Sequence, residues 1–367
     1  MKLKPEDDQR LADLFKELTN KSSTFIGYPT NAVLSYSNLG KFLDFTINNV
    51  GDPFSDCNYK VSTREFEKEV LHFFGDLMHI EPDDFWGYVT NGGTEGNMYG
   101  LYLGRETYPD GIIYYSEDTH YSISKTVRVL NSKHVMIKSQ PNGEMDYNHF
   151  KETVSSLSHY PVIVNANIGT TMKGAIDNVA NIVGILNSLN IKDYYIHCDA
   201  ALFGIMLPFI NHAPIFDFRL PISSISISGH KFLGSPIPSG IALARRDTVK
   251  KIERSIEYIG SLDSTLSGSR DGFSVLILWQ AIKHLELKGI EKMVHRCMNI
   301  TTYALSKFAE IGYPAWVNPY SNIIIIKRPS EEIIQKWQLA PQGDDAHIII
   351  MPHTTTEMVD EFVGELE

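Results

Sequence analysis

The chain has few cysteines, a deficit of positive charge and no long apolar run. Its three cysteines, Cys57, Cys198 and Cys297, are odd in number and contain no CxxC pair, so neither a disulfide framework nor a thiolate zinc site is indicated, and a reducing cytoplasm is the expected location. Lys and Arg number 33 against 44 Asp and Glu, a formal net charge of −11, which argues against nucleic acid or an anionic membrane as partner. An anionic small molecule needs only a local positive site and stays open. The isoleucine-rich stretches near Ile323 to Ile326 and Ile348 to Ile350 are far too short to span a bilayer, and the opening residues MKLKPEDD lack the apolar core of a signal peptide. What is present is ordinary for a soluble enzyme: 43% hydrophobic and 21% charged residues. A chain of 367 residues exceeds one small core, so a large domain with a smaller appended one is expected.

Residues 1–55 read as an N-terminal helical arm, with amphipathic helices near Glu6 to Leu18 and Tyr36 to Asn48 joined through the loop Gly27-Tyr28-Pro29. From Thr63 onward helices alternate with short apolar strands at Trp86 to Thr90, Ile112 to Ser116, His134 to Ile137, Pro161 to Ala166, Tyr194 to Cys198, Ser223 to Ile227 and Gly240 to Ala244. That alternation predicts βαβ units, hence a large α/β domain over residues 56–272 with a mainly parallel sheet covered on both faces. Residues 273–367 read as a connecting helix, near Ser274 to Ile311, and a small C-terminal α+β domain with strands near Ser321 to Lys327 and His347 to Met351. No internal repeat, low-complexity tract or linker is visible.

The run SISISGHKFLGSPIPSG puts a lone lysine, Lys231, just past an apolar, β-branched strand, where no helix surface lets its amine reach water. Upstream, the strand YYIHC runs into Asp199 and then Ala200-Ala201. In an open α/β sheet ligands bind beyond the carboxyl ends of the strands, and an amine and a carboxylate at two such ends are what a pyridoxal phosphate (PLP) site needs: a lysine for the Schiff base and an acid for the pyridine nitrogen. The bland alternative is a buried Asp–Lys ion pair joining two strands. Asn91-Gly92-Gly93-Thr94 follows a strand and opens a helix, so its glycines admit a phosphate while Thr94 caps the helix. A metal set drawn from His120, His197, Asp199 and His230 is the rival from another class. It gives Lys231 no role, and strand alternation is read as turning His197 away from Asp199, so no metal is expected. A non-catalytic binding protein of the same fold is the remaining alternative.

The segments NGGTEGN (91–97), DTHYS (118–122), NIGTT (167–171), HCDAALFG (197–204), SGHKFLGSPIPSG (228–240) and SGSRDG (267–272) resemble, in order and spacing, the group II PLP-dependent amino-acid decarboxylases. The resemblance runs from about Gly27 to about Asp360. It is nearest to the short bacterial histidine decarboxylases and the plant serine decarboxylases. It implies the fold type I, aspartate aminotransferase-like architecture and PLP as cofactor, with Lys231 as the Schiff-base lysine and Asp199 at the ring nitrogen. His120 would stack on the ring and orient the substrate carboxylate, and Ala201 would pack on the opposite face. Gly92, Gly93, Thr94, Ser228 and His230 would hold the phosphate, Thr170 and Thr171 would line the pocket, and Tyr258 would return the proton to the substrate. Ser267 and Ser269 would reach the cofactor of a neighbouring subunit, with Arg270 in a structural ion pair, which implies a homodimer with its active site at the subunit interface. Tyr28, Asn58, Tyr59 and Ser321 are the candidates for the substrate side chain. The loops at 140–147, 91–93 and 234–236 read like the histidine enzymes, whereas those at 51–54, 196–204 and 337–340 read like the serine enzymes. Decarboxylation of L-histidine to histamine and CO2 is the favoured expectation, with L-serine to ethanolamine, or an aromatic amino acid, as the alternative.

Overall fold

The computed structural model describes residues 3–366. After the helix α1 (Pro5–Ser22) and α2 (Arg64–Leu77), strands and helices alternate: β1 (Phe85–Thr90), α3 (Gly93–Thr107), β2 (Ile112–Ser116), α4 (Tyr121–Val129), β3 (His134–Ile137), α5 (Tyr147–Ser156), β4 (Val162–Asn167), α6 (Val179–Ser188), β5 (Tyr194–Asp199), β6 (Ser224–Ser228) and β7 (Gly240–Arg245). These seven strands form one sheet in the order β1-β7-β6-β5-β4-β2-β3. Only β7 runs antiparallel to its neighbours β1 and β6, so β1, β2, β4, β5 and β6 all point the same way. The reason lies in the side chains. Every residue of β1, β2, β4 and β6 is buried, and a strand that is buried on both faces needs helices on both. In β1, Phe85 and Val89 enter the core shared with α2, while Trp86 and Tyr88 face the other way and pack with Tyr99 of α3.

The short α7 (Arg246–Val249) and the hairpin β8 (Arg254–Ile256) with β9 (Ser261–Asp263) lead to the long helix α8 (Gly272–Glu310), which is interrupted at Glu286 (φ 52°). A four-stranded antiparallel sheet follows, ordered β10-β11-β13-β12. It is built from β10 (Ala315–Val317), β11 (Ile323–Lys327), β12 (Ala340–Gln342) and β13 (Asp345–Ile349), with α9 (Glu331–Trp337) between β11 and β12 and α10 (Thr356–Gly364) closing the chain. Among the described residues no helix is long and apolar enough to cross a membrane.

The expected α/β architecture and its strands are present, with differences at the edges. The helix expected over Tyr36 to Asn48 is a 3-10 stretch, Ser37–Asp44. That segment carries Ser37, Asn38 and Gly40 and buries only Leu39, too little apolar surface to hold a regular helix in place. In contrast α1 extends past its expected end but buries none of its residues. The chain after it is tied to the small sheet, where the N–H of Ile349 donates to the Ile26 carbonyl at 2.7 Å.

Candidate active site

The carboxyl ends of β1, β2, β4, β5 and β6 open on one cavity of about 310 Å³, and each contributes through the loop that follows it. Gly93 and Thr94 come from the end of β1, His120 from beyond β2, Thr170 and Thr171 from beyond β4, Asp199 and Ala201 from β5, and Ser228, His230 and Lys231 from β6. The arm and the small sheet close the remaining side with Tyr28, Ile323, Ala340, His347 and Ile349. A roomier hollow of about 790 Å³ lies on the open surface by Lys288, Lys292 and Thr355 and contains none of the residues singled out by sequence.

Asp199 is buried at the cavity floor, its Oδ2 accepting from Asn97 Nδ2 at 2.7 Å and its Oδ1 from the Ala201 N–H at 3.3 Å. Lys231 faces the same cavity from the loop after β6. Among the described residues no ion pair joins it to Asp199, so the two are not a strand-joining salt bridge. Burial lowers the pKa of the Lys231 amine from its ordinary value, with the Asp199 charge opposing. A lowered amine pKa favours the neutral, nucleophilic form. His120 caps α4, its Nδ1 accepting from the Ser122 N–H at 3.3 Å and meeting Ser122 Oγ at 2.7 Å. Burial is the main cause that lowers its pKa too, with Asp199 opposing and Lys231 adding to the depression. His230 is likewise depressed, chiefly by burial, and its Nδ1 rests 3.0 Å from the Ser239 carbonyl.

The loop after β1 differs in one respect from the sequence reading. Thr94 does not cap α3; Gly92 does, with φ 135° and no side-chain cap. Because that backbone angle is closed to residues with a Cβ, the first N–H groups of α3 are left bare at the cavity edge. Gly93 is needed for a second reason: a Cβ there would lie 2.6 Å from Ser228 Oγ. Glu95 stitches the loop together, accepting from the Asn91 N–H at 2.9 Å, from Tyr88 Oη at 3.0 Å and from Ser267 Oγ at 3.0 Å.

Not all the sequence candidates meet in this cavity. Tyr258 is 85% exposed and lines a separate groove with Asn58, Tyr59 and Ser269. Ser267 is turned toward Glu95, and Ser269 Oγ accepts from Asn48 Nδ2 at 3.0 Å. Ser321 is buried behind the cavity wall, where its Oγ accepts from the Ile323 N–H at 3.0 Å. Arg270 does form the expected ion pair, with Glu67, both side chains being almost wholly buried. The expectation about His197 is corrected. Residues two apart on a strand share a face, and His197 points the same way as Asp199, with Asn97 bridging the two. Among the described residues no group of three or more His, Cys, Asp or Glu gathers as a metal site would require.

Several cavity residues were not singled out by sequence, and two of them hold neighbouring elements together. One is Asn97. The other is His347, whose ring nitrogens lie 3.1 Å from the carbonyls of Met172 and Gly27, so it ties the β4 loop, the arm and the small sheet together at the cavity wall.

Comparison with known proteins identifies the family. Residues 19–312 match the pyridoxal-dependent decarboxylase conserved domain. A histidine decarboxylase of Vibrio anguillarum is 46% identical over 355 residues, covering 96% of this chain and 92% of that one. Serine decarboxylase 2 of Oryza sativa subsp. japonica is 44% identical over 358 residues, covering 97% of this chain and 77% of that one. Among solved structures, an L-methionine decarboxylase from Streptomyces sp.590 superposes with a TM-score of 0.91 at 26% identity, covering 99% of this chain and 95% of that one.

Proposed function

The chain belongs to the pyridoxal-dependent amino-acid decarboxylases, and from that premise we propose that it converts L-histidine to histamine and CO2 as a cytoplasmic homodimer. The observation that carries the reading is the unpaired Lys231 amine sharing a cavity with Asp199, at the ends of adjacent strands. The choice of histidine is supported by relatives named histidine decarboxylase at 42–46% identity over nearly the whole chain. It is also supported by the wall of Tyr28, Ile323, Ala340 and Ile349, which suits a flat ring better than a hydroxymethyl group. L-Serine is the second reading, on the strength of the rice relative.

The residues present fit PLP. The bare start of α3 and the gap that a Cβ at Gly93 would fill form a cradle for a phosphate, to which Ser228 and His230 add polar groups. Lys231 would hold the cofactor covalently, and Asp199 would keep its ring nitrogen protonated. When bound, PLP supplies an aldehyde for the substrate amine and a protonated ring that accepts the electron pair released as CO2 departs. The protein's part is orientation and proton control. His120 and Ala201 would confine the ring between them, His120 would also direct the substrate carboxylate, and Thr170 would line the ring's edge. The lowered pKa of Lys231 would favour the neutral amine, the form able to bond to the cofactor aldehyde. Tyr258, exposed in its own groove beside Asn58, Tyr59 and Ser269, would serve the cavity of a second copy and return a proton to the substrate α-carbon. Ser267 would join that contact. Substrate selection would fall to Tyr28 on the cavity's own side, with Ser321 setting the wall behind Ile323. Incubation with each of the twenty amino acids and analysis of the products tests the proposal. A kcat/KM for L-histidine above that for L-serine supports it, and the reverse order assigns the enzyme to serine.

A further inference from the structure

We infer that His197 is a positioning residue for Asp199, acting through Asn97 as the centre of a one-way chain of hydrogen-bond donors that ends on the carboxylate; this rests on the PLP reading of the cavity. The chain comprises Tyr195, Ser224, His197, Asn97 and Asp199, all buried. Tyr195 Oη lies 2.8 Å from Ser224 Oγ, which lies 2.8 Å from His197 Nδ1. His197 Nε2 lies 3.0 Å from Asn97 Oδ1, and Asn97 Nδ2 lies 2.7 Å from Asp199 Oδ2.

The carboxylate dictates every proton. An ionised Asp199 can only accept, so Asn97 must turn its NH2 toward it and its carbonyl oxygen toward His197. That oxygen requires a hydrogen on Nε2. A neutral ring then has a bare Nδ1, which accepts a hydrogen bond from the Ser224 hydroxyl, and the Ser224 oxygen in turn accepts from Tyr195. Reversing any link would set two acceptors, or two hydrogens, against each other in a dry interior. Burial pushes the pKa of His197 down to about 3, in keeping with a neutral ring. The space is made for it, since a Cβ at Gly100 would lie 2.2 Å from His197 Nδ1. With Asn97 fixed from behind, and the Ala201 N–H on the other oxygen, the carboxylate plane is set and cannot rotate away from the cavity.

The test is made on the holoenzyme. With 15N-labelled histidine, NMR should show one ring that disappears in His197→Gln, bears its hydrogen on Nε2 and does not titrate between pH 6 and 9. Should that variant fail to fold, Ser224→Ala identifies the same ring by displacing its Nδ1 resonance. His197→Leu should lower kcat by about 10–100-fold, the range typical of partners that orient a ligand from behind. KM and PLP content should change little, and the visible absorption of the bound cofactor should shift its pH midpoint. His197→Gln, which retains a donor toward Asn97, should recover most of the rate. A hydrogen on Nδ1, a charged ring, or a leucine variant with unchanged kcat and spectrum would overturn the inference. Failure of the wild type to bind PLP would instead refute the proposed function, while the tautomer would still be readable.

Discussion

Replacing Arg270 with methionine should cost about 3–5 kcal/mol of stability, the range for leaving one member of a buried ion pair without its partner. Glu67 is fully buried. Among the described residues, the partners of its carboxylate besides Arg270 are Asn49 Nδ2 at 2.8 Å and the Val89 N–H at 2.9 Å. Methionine approximates the arginine stem in volume, so little cavity opens; what disappears is the charge and the donor to the Gly51 carbonyl at 2.9 Å. Even with an effective dielectric of about 20, two unit charges some 4 Å apart attract by about 4 kcal/mol, in line with that range. Urea midpoints at fixed protein and PLP concentrations, with unchanged slope, report the loss. The double variant Arg270→Met/Glu67→Gln should then be more stable than Arg270→Met alone by at least about 1 kcal/mol, because glutamine still accepts from Val89 but carries no charge to strand. An Arg270→Met loss below about 1 kcal/mol, or a double variant weaker than the single, would show that the pair does not hold this region together.

Tyr258→Phe should slow amine release and divert part of the turnover to hydrogen peroxide and aldehyde, because the α-carbon waits for its proton in the presence of oxygen; equal amine yield with no extra peroxide would make Tyr258 a surface residue only. The pH dependence of stability carries a second signature. His197, depressed to about 3 by burial, stays neutral in the fold while the unfolded chain gains a proton below about 6.5, so its contribution is full above that pH and is lost on acidification, by about 1.4 kcal/mol per unit. Asp177, raised to about 7 chiefly by burial, works in the opposite sense, since the fold holds its proton and the unfolded chain does not until about pH 4. The two offset each other between pH 4 and 6.5. His197→Gln removes one of them, so its stability relative to wild type should improve by about 2 kcal/mol between pH 7 and pH 5; urea midpoints that move in parallel would disprove the assignment.

Much of the large sheet was legible because most of its strands are short, largely apolar or alternating runs buried in the fold, bounded by glycine, proline or polar residues. The hairpin β8/β9 and the edge strands β10 and β12 have three residues each, too few to display a period. Lys231 and Asp199 stood out for the same reason as the strands, each being an ionisable group placed where an apolar run ends. His347 gave no such signal, since its partners, Met172 and Gly27, are distant in sequence and meet it only in the folded chain. Resemblance united Tyr258, Asn58, Tyr59 and Ser269 with the cofactor loops, whereas a single chain separates them into a second groove.

Asn97 could have been found from the glycines around it. Gly93, Gly96, Gly100 and Gly104 recur at three- and four-residue spacing, which gathers them on one face of α3. A bare helix face of that kind has a use only if the helix lies against other atoms at backbone distance. It does: Cβ atoms at Gly96, Gly100 and Gly104 would fall 2.3 Å from Ser226 Oγ, 2.2 Å from His197 Nδ1 and 2.9 Å from Ile163 Cγ2. Residue 97 lies on that same face by helical geometry, so its amide is pressed toward the sheet with no route to water. A buried amide must find a donor and an acceptor, and at that depth the strand nearest the cavity offers His197 and Asp199. The run GGTEGNMYGLYLG therefore encodes two things at once, a helix start without a side-chain cap at the cavity edge and, four residues after Gly93, the amide that donates to the Asp199 carboxylate.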